Sequence, residues 1–247
     1  MHTRSIVAMM VTALLLPAAL GACPVTKPLR VLLVTGGHDF DRDGFSALWH
    51  SMQDVTVQEV SHPQAQAWFA KERSKEYDVL VFYDMYQDIS EKSRADLVAL
   101  LKRGKGLVVL HHALANYQAW DEYMKIAGGR FRLAETERDG LKRPASTWKD
   151  DVTFRVNVAD RKHPVTRGIG DFEIVDETYG DYDVLPTVRP LLTTDEPTST
   201  PTIAWTHTYG RSRVVTVQGG HGPSAWQNPS FRRVLEQAVR WVAGSSR

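Results

Sequence analysis

Three stretches of this chain are apolar almost throughout and break off abruptly. Leu29 to Thr35 (LRVLLVT) runs into Gly36-Gly37, Tyr77 to Tyr83 (YDVLVFY) into a polar segment, and Gly106 to Leu110 (GLVVL) into His111-His112. A strand with one solvated face alternates apolar and polar residues; a strand apolar throughout needs cover on both faces, as in a parallel sheet between helical layers. The intervening segments supply such helices. Asp43 is placed to cap a helix carrying Phe45, Leu48, Trp49 and Met52, and Ser90-Glu91-Lys92-Ser93 opens another with Leu97, Val98, Leu100 and Leu101 that ends near Gly104. Val55 to Val60 alternates as a further strand. The order predicts a doubly wound α/β sheet, whose ligands bind beyond the carboxyl ends of the strands. His38 and His111 both follow such ends.

From Arg130 to about Asp195 the pattern changes to short, turn-rich strand pieces, Val152 to Val158 clearly and Phe172 to Val175 weakly, which predicts a small antiparallel extension. Pro201 to Trp205 and Val214 to Val217 read as strands. Asn228-Pro229-Ser230 opens a last helix bearing Phe231, Val234, Leu235, Ala238, Val239, Trp241 and Val242 at helical spacing. No repeat or linker divides the chain.

The amino-terminal segment has another character. Arg4 precedes the apolar run Ile6 to Leu16, far short of the roughly 20 residues that span a bilayer, and Leu20-Gly21-Ala22-Cys23 follows. This predicts a lipoprotein-type signal peptide over residues 1–22 and one domain over 23–247, with Cys23 lipidated as the first mature residue. The alternative is ordinary secretory cleavage with Cys23 incidental. The expected location is the cell envelope, as a periplasmic or outer-surface lipoprotein held to the membrane by its lipid anchor. Cys23 is the only cysteine, so neither an intrachain disulfide nor a cysteine nucleophile is available. Removing Arg4 from the 30 Lys and Arg residues leaves 29 against 29 Asp and Glu; with no dense basic stretch, nucleic acid is not an expected partner. The oligomeric state is open, a homo-oligomer included.

Four segments hold the candidate chemistry. Gly36-Gly37-His38-Asp39-Phe40 combines a sharp turn with a strand-end histidine. Gly106 to Ala113 resembles the strand-to-turn layout of a nucleophile elbow, with histidine where serine or cysteine would stand. Neighbours on an extended strand face opposite ways, so His111 is expected in the site and His112 behind it. Asp171 to Tyr179 (DFEIVDETY) offers Glu177 as a base or ligand and Tyr179 as a packing surface for a sugar; His163-Pro164 before it reads equally as a turn. Gln218 to Pro223 (QGGHGP) lets His221 project between glycines, with Trp226 nearby.

The segments GGHDF, GLVVLHHALANYQAW with a following EY and GGRF, HPVTRGIGDFEIVDETY, and YGRSRVVTVQGGHGPSAWQNPSFRRVLEQAVRWVAG resemble, in order and spacing, the ThuA-like (trehalose utilisation) family along almost the whole mature chain. The resemblance implies the class I glutamine amidotransferase fold, a flavodoxin-like three-layer α/β sandwich with a mostly parallel central sheet. It places His111 at the former nucleophile position and matches His38, Glu177 and His221 to other polar positions of the family. With no cysteine at the elbow, amidotransferase activity is not implied. Family members are linked to carbohydrate utilisation beside oxidoreductases that make 3-keto-glycosides.

The expected function is therefore extracytoplasmic processing of 3-keto-glycosides or related disaccharides by histidine and carboxylate acid–base chemistry. His111, Glu177 and His221 are the expected catalytic residues; His38, Asp39, His112, Tyr179 and Trp226 are expected to bind substrate. His38, His111 and His221 are alternatively the ligands of a divalent metal, zinc or similar. The other function class is a non-catalytic sugar-binding lipoprotein, with Trp120, Trp148, Trp205 and Trp226 as stacking platforms.

Overall fold

The computed structural model describes residues 27–244 apart from residue 139. Residues 1–22, where a signal peptide is expected, and Cys23 lie outside the described residues. Among the described residues no helix is long and apolar enough to cross a membrane.

The apolar runs form the centre of a nine-stranded sheet. Numbered among themselves, its strands are β1 (Leu29–Gly36), β2 (Val55–Ser61), β3 (Val79–Asp84), β4 (Gly106–Leu110), β5 (Thr147–Val158), β6 (Phe172–Gly180), β7 (Arg189–Thr193), β8 (Thr202–Tyr209) and β9 (Ser212–Val217). They lie in the order β2-β1-β3-β4-β9-β8-β7-β5-β6. The first five are parallel, and the pairs from β9 through β8, β7, β5 and β6 are antiparallel. Every residue of β3 and β4 is buried, as the two-sided cover requires.

Two apolar layers sandwich the sheet. On one face lie α1 (Arg42–His50), later α4 (Pro223–Gln227) and α5 (Pro229–Val242), whose Phe45, Trp49, Trp226, Phe231, Val234 and Leu235 pack on Val31, Leu33, Val81 and Val108. On the other lie α2 (Glu91–Lys102) and α3 (Asp121–Ala127), whose Leu97, Leu100, Leu101, Tyr123 and Ile126 meet Leu32, Val34, Leu80 and Leu107. The alternation of odd and even residues between the two layers is the strand period of two. The fold is thus the expected α/β sandwich with a parallel core and an antiparallel extension.

Local details refine the boundaries. Asp41, rather than Asp43, caps α1 by accepting the Gly44 N–H at 3.1 Å; Asp43 falls in the first turn. Ser90 caps α2 as expected, through the Ser93 N–H. β6 extends five residues beyond Val175, and its Asp176, Glu177 and Tyr179 are buried. β5 likewise begins at Thr147, and its Lys149–Val152 segment carries a bulge.

The β5–β6 ribbon joins the rest of the sheet through only two residue pairs, Leu192 with Val158 and Thr193 with Asn157. It can therefore depart from the sheet plane, and Val152, Phe154, Val156 and Ile174 bind it into the layer of α1, α4 and α5. Asn228 ties this layer together: its Oδ1 accepts the Ser230 and Phe231 N–H groups, capping α5, while its Nδ2 donates to the Glu173 carbonyl at 2.8 Å. Asn228→Ala is expected to lower the unfolding free energy by about 1 kcal/mol or more, measured by urea denaturation against the parent.

Candidate functional site

The site lies at the carboxyl edge of the parallel strands, where β1, β4 and β9 end. The β1 turn places His38. Gly37 has φ +80°, and a Cβ there would lie 2.2 Å from the Met85 carbonyl oxygen, so only glycine lets this turn close on the segment after β3. His38 Nδ1 donates to the Asp39 carbonyl at 2.7 Å, and its ring stacks on His112 with centroids 4.6 Å apart.

β4 stops at Leu110, and His111 takes φ +53°, the left-handed turn of an elbow. The chain has left the extended conformation before His112, so the two histidines do not point to opposite faces; their rings lie 5.2 Å apart. His112 is buried between His38 and Tyr83, and its pKa is pushed well down, first by burial and then by the neighbouring histidines. It remains a neutral packing residue.

His111 is almost fully buried. Its Nδ1 donates to the Gln218 carbonyl at 2.7 Å, which turns Nε2 toward Glu177 Oε2 at 3.0 Å and the Tyr179 hydroxyl at 3.1 Å. Glu177 Oε2 also lies 3.0 Å from His221 Nδ1. Burial would raise the Glu177 pKa, but the hydrogen bonds and charges of His111 and His221 outweigh it and hold the carboxyl far below its usual range. The partner effect raises His221 above 6.5, chiefly through its hydrogen bond to Glu177.

A buried carboxylate sets the position of His221. Asp176 accepts the N–H groups of Gly220 at 2.6 Å, His221 at 3.0 Å and its own neighbour Glu177 at 2.9 Å. Burial nevertheless pushes its pKa up. Gly220 has φ +113° and a Cβ there would approach Phe231 to 2.9 Å, so the loop needs this glycine. Its carbonyl accepts from Tyr83 Oη and from Trp226 Nε1 at 2.8 Å.

Between these elements opens a cleft of about 370 Å³, lined by His38, Met85, Phe131, Trp148, Asp150, Glu177, Tyr179 and His221 among others. Of the expected substrate contacts, His38 and Tyr179 line it. Trp226 does not: it is buried against Phe45 and supports the His221 loop. Trp205, on β8, is buried with its Nε1 donating to the Ala127 carbonyl, and Trp120 packs beside Tyr117. Asp39 is exposed and meets the site only through its carbonyl group. His163 packs against Trp241, away from the cleft. Asp150 and Phe131 are not singled out by sequence pattern; the signal at Asp150 is only an acidic pair that interrupts the alternation beginning at Val152.

The ligand-spaced group is His111, Glu177 and His221, whose donor atoms all lie within 4.8 Å of one another. Glu177 thus takes the place given to His38 in the expected metal set. The residues fit a divalent ion of the zinc type. Their neighbouring donors stand 3.0 Å apart, close to the roughly 3.3 Å between ligands at tetrahedral zinc. The Gln218 carbonyl fixes the His111 tautomer that presents Nε2, and the cleft leaves one side of the group open.

An α/β sandwich of the amidotransferase type, with histidine at the elbow and a carboxylate between two imidazoles, is the class this architecture defines. The family model "ThuA: Trehalose utilisation" matches residues 30–242, and the chain belongs to that family. Solved structures agree in fold. A ThuA-like protein of Parabacteroides merdae superposes with a TM-score of 0.71 at 20% identity, over 88% of this chain and 90% of that one. One from Bacteroides uniformis gives 0.68 at 19%, over 90% and 94%. A GMP synthase protein from Thermoplasma acidophilum gives 0.51 at 9%, over 88% and 95%, which ties the fold to the amidotransferases. No curated protein matches the chain in sequence.

Purified protein is expected to bind one Zn²⁺ per chain by titration calorimetry, with affinity that rises as pH passes above 6.5, because the proton held on His221 by Glu177 competes with the ion. Binding that is absent, or unchanged in Glu177→Gln, would remove the ion from this site.

Proposed function

We propose that this ThuA-family protein is an extracytoplasmic enzyme that cleaves 3-keto-glycosides, disaccharides among them, by acid–base chemistry at His111, Glu177 and His221. The observation that carries the reading is the carboxylate clamped between two imidazoles at the floor of an open cleft. The family's link to trehalose utilisation supplies the substrate class.

The chemistry follows from the ketone. A carbonyl at C3 acidifies the C2 hydrogen, and removing it leaves the bonding pair in a C2=C3 enolate. When the carbonyl re-forms, C1=C2 is created, the C1–O bond breaks, and the departing oxygen takes a proton. Water added across C1=C2 returns the free 3-keto sugar, so the net change is hydrolysis. His221 suits the proton transfers: it is half-exposed at the cleft, and Glu177 raises its pKa above 6.5, toward the pH at which a base can both take and return a proton. Glu177 itself, with its pKa driven down, serves to hold the two imidazoles and to favour the charged form of His221 rather than to accept a proton. The Tyr179 hydroxyl lines the cleft and can donate to a developing enolate oxygen, and His111 Nε2, 3.1 Å from it, positions that hydroxyl. A bound zinc-like ion would supply a Lewis acid at the same place.

Incubation with a 3-keto-disaccharide should release monosaccharide, whereas the unoxidised disaccharide should stay intact. His111→Ala and His221→Ala should remain folded and lose about 10²-fold or more in turnover; wild-type rates in both would overturn the reading. Binding of sugars without any product would favour a sugar-binding lipoprotein instead, a role that the exposed Trp148 in the cleft also supports.

Envelope attachment is part of the proposal and rests on the leader and Cys23. Cys23→Ser should move the protein from the membrane pellet to the soluble fraction of lysed cells. A parent protein already found in the soluble fraction would end the lipid-anchor reading.

A further inference from the structure

The bulge in β5 places two residues where the site has most to gain. Trp148 pairs with Tyr179 and Lys149 with Thr178, but the next pair is Val152 with Asp176, so Asp150 and Asp151 together face Glu177. Asp151 takes φ +53° to absorb the extra residue. A bulge of this kind re-aims a side chain, and here Asp150 lines the cleft beside Trp148, two residues away on the same edge of the strand. Asp150 Oδ1 stands 3.9 Å from His221 Nδ1, beyond hydrogen-bond length, and its side chain is 51% exposed. Trp148 is 61% exposed, the one exposed tryptophan among the described residues. A large aromatic surface left in water along a cleft is free to stack on a ligand ring.

We infer that Trp148 and Asp150 form a sugar subsite beside the His111–Glu177–His221 group, taking the pyranose ring that does not react. The indole stacks on an unbroken C–H face of that ring, and the carboxylate accepts from two adjacent hydroxyls. The ligand class is a disaccharide, with one ring on the Trp148 platform and the other over the histidines. The inference rests on the carbohydrate reading above and adds Asp150 and the place of each sugar ring to it. Arg132, buried at the cleft wall, donates its Nε to the Pro144 carbonyl, pairs Nη1 with Asp183 and donates its backbone N–H to Ser146 Oγ, so it braces the segment that leads into Trp148.

Unoxidised trehalose is the probe, because its binding is read without turnover. Titration calorimetry should show saturable binding to the parent and to His111→Ala. Trp148→Ala and Asp150→Ala should each weaken binding about tenfold or more. Tryptophan fluorescence should change on adding trehalose, and Trp148→Phe should abolish that change while keeping part of the affinity. Both residues are exposed, so the variants should match the parent in thermal unfolding. Unaltered affinity in Trp148→Ala and Asp150→Ala, or a parent that does not bind trehalose, overturns the subsite. The two readings fail separately. Loss of trehalose binding in these variants, in a protein that turns over no 3-keto sugar, keeps the subsite and removes the enzyme. Turnover that depends on His111, with trehalose affinity indifferent to Trp148 and Asp150, does the reverse.

Discussion

The buried Asp176 carboxylate is the interaction on which the site depends. It sits on β6 in the antiparallel ribbon, yet it satisfies the N–H groups of Gly220 and His221 in the loop that follows β9 of the parallel core. A carboxylate at 5% exposure is costly to bury unless its oxygens are paired, and three backbone donors provide that pairing. The same contact fixes the residue beside it, Glu177, against the same loop's His221. Ribbon and core are therefore joined at the point where the functional group is assembled.

That junction solves a problem of distance. In sheet order β4 and β6 are separated by five strand spacings, β4-β9-β8-β7-β5-β6, which in a flat sheet would be about 24 Å at roughly 4.8 Å per step. The Glu177 carboxylate nevertheless lies 3.0 Å from His111 at the end of β4. The sheet curls, and the narrow two-pair attachment of the ribbon to β7 lets it fold back over the carboxyl edge. The cleft is the space left under that fold, with parallel-strand loops on one side and the start of β5 on the other.

The electrostatics follow from the same closure. Bringing Glu177 between His111 and His221 holds the carboxyl ionised and lets His221 keep its proton to higher pH. His112, one residue from His111, is pushed the other way, first by burial and then by the neighbouring histidines. Four histidine rings in one cluster thus have different tasks, set by which of them reaches the glutamate.

Much of this was legible in the chain itself. Runs apolar almost throughout can be stable only with cover on both faces, so LRVLLVT, YDVLVFY and GLVVL dictated a parallel core between helices, and their abrupt ends put His38 and His111 at one edge. Glycines on both sides of His221 showed that it stands on a tight loop. What the tertiary structure alone decided was which side chains meet. Nothing in the sequence shows that the charged Asp176 and Glu177 are buried, and only the ribbon's return buries them with partners. Asp150 faces the cleft because a bulge shifts the register by one residue, and a strand pattern that begins at Val152 contains no trace of its direction. Trp226 and Trp148 carry the same side chain, yet one is core and the other lines the cleft; their difference is a matter of what packs over them, which depends on residues far away in the chain.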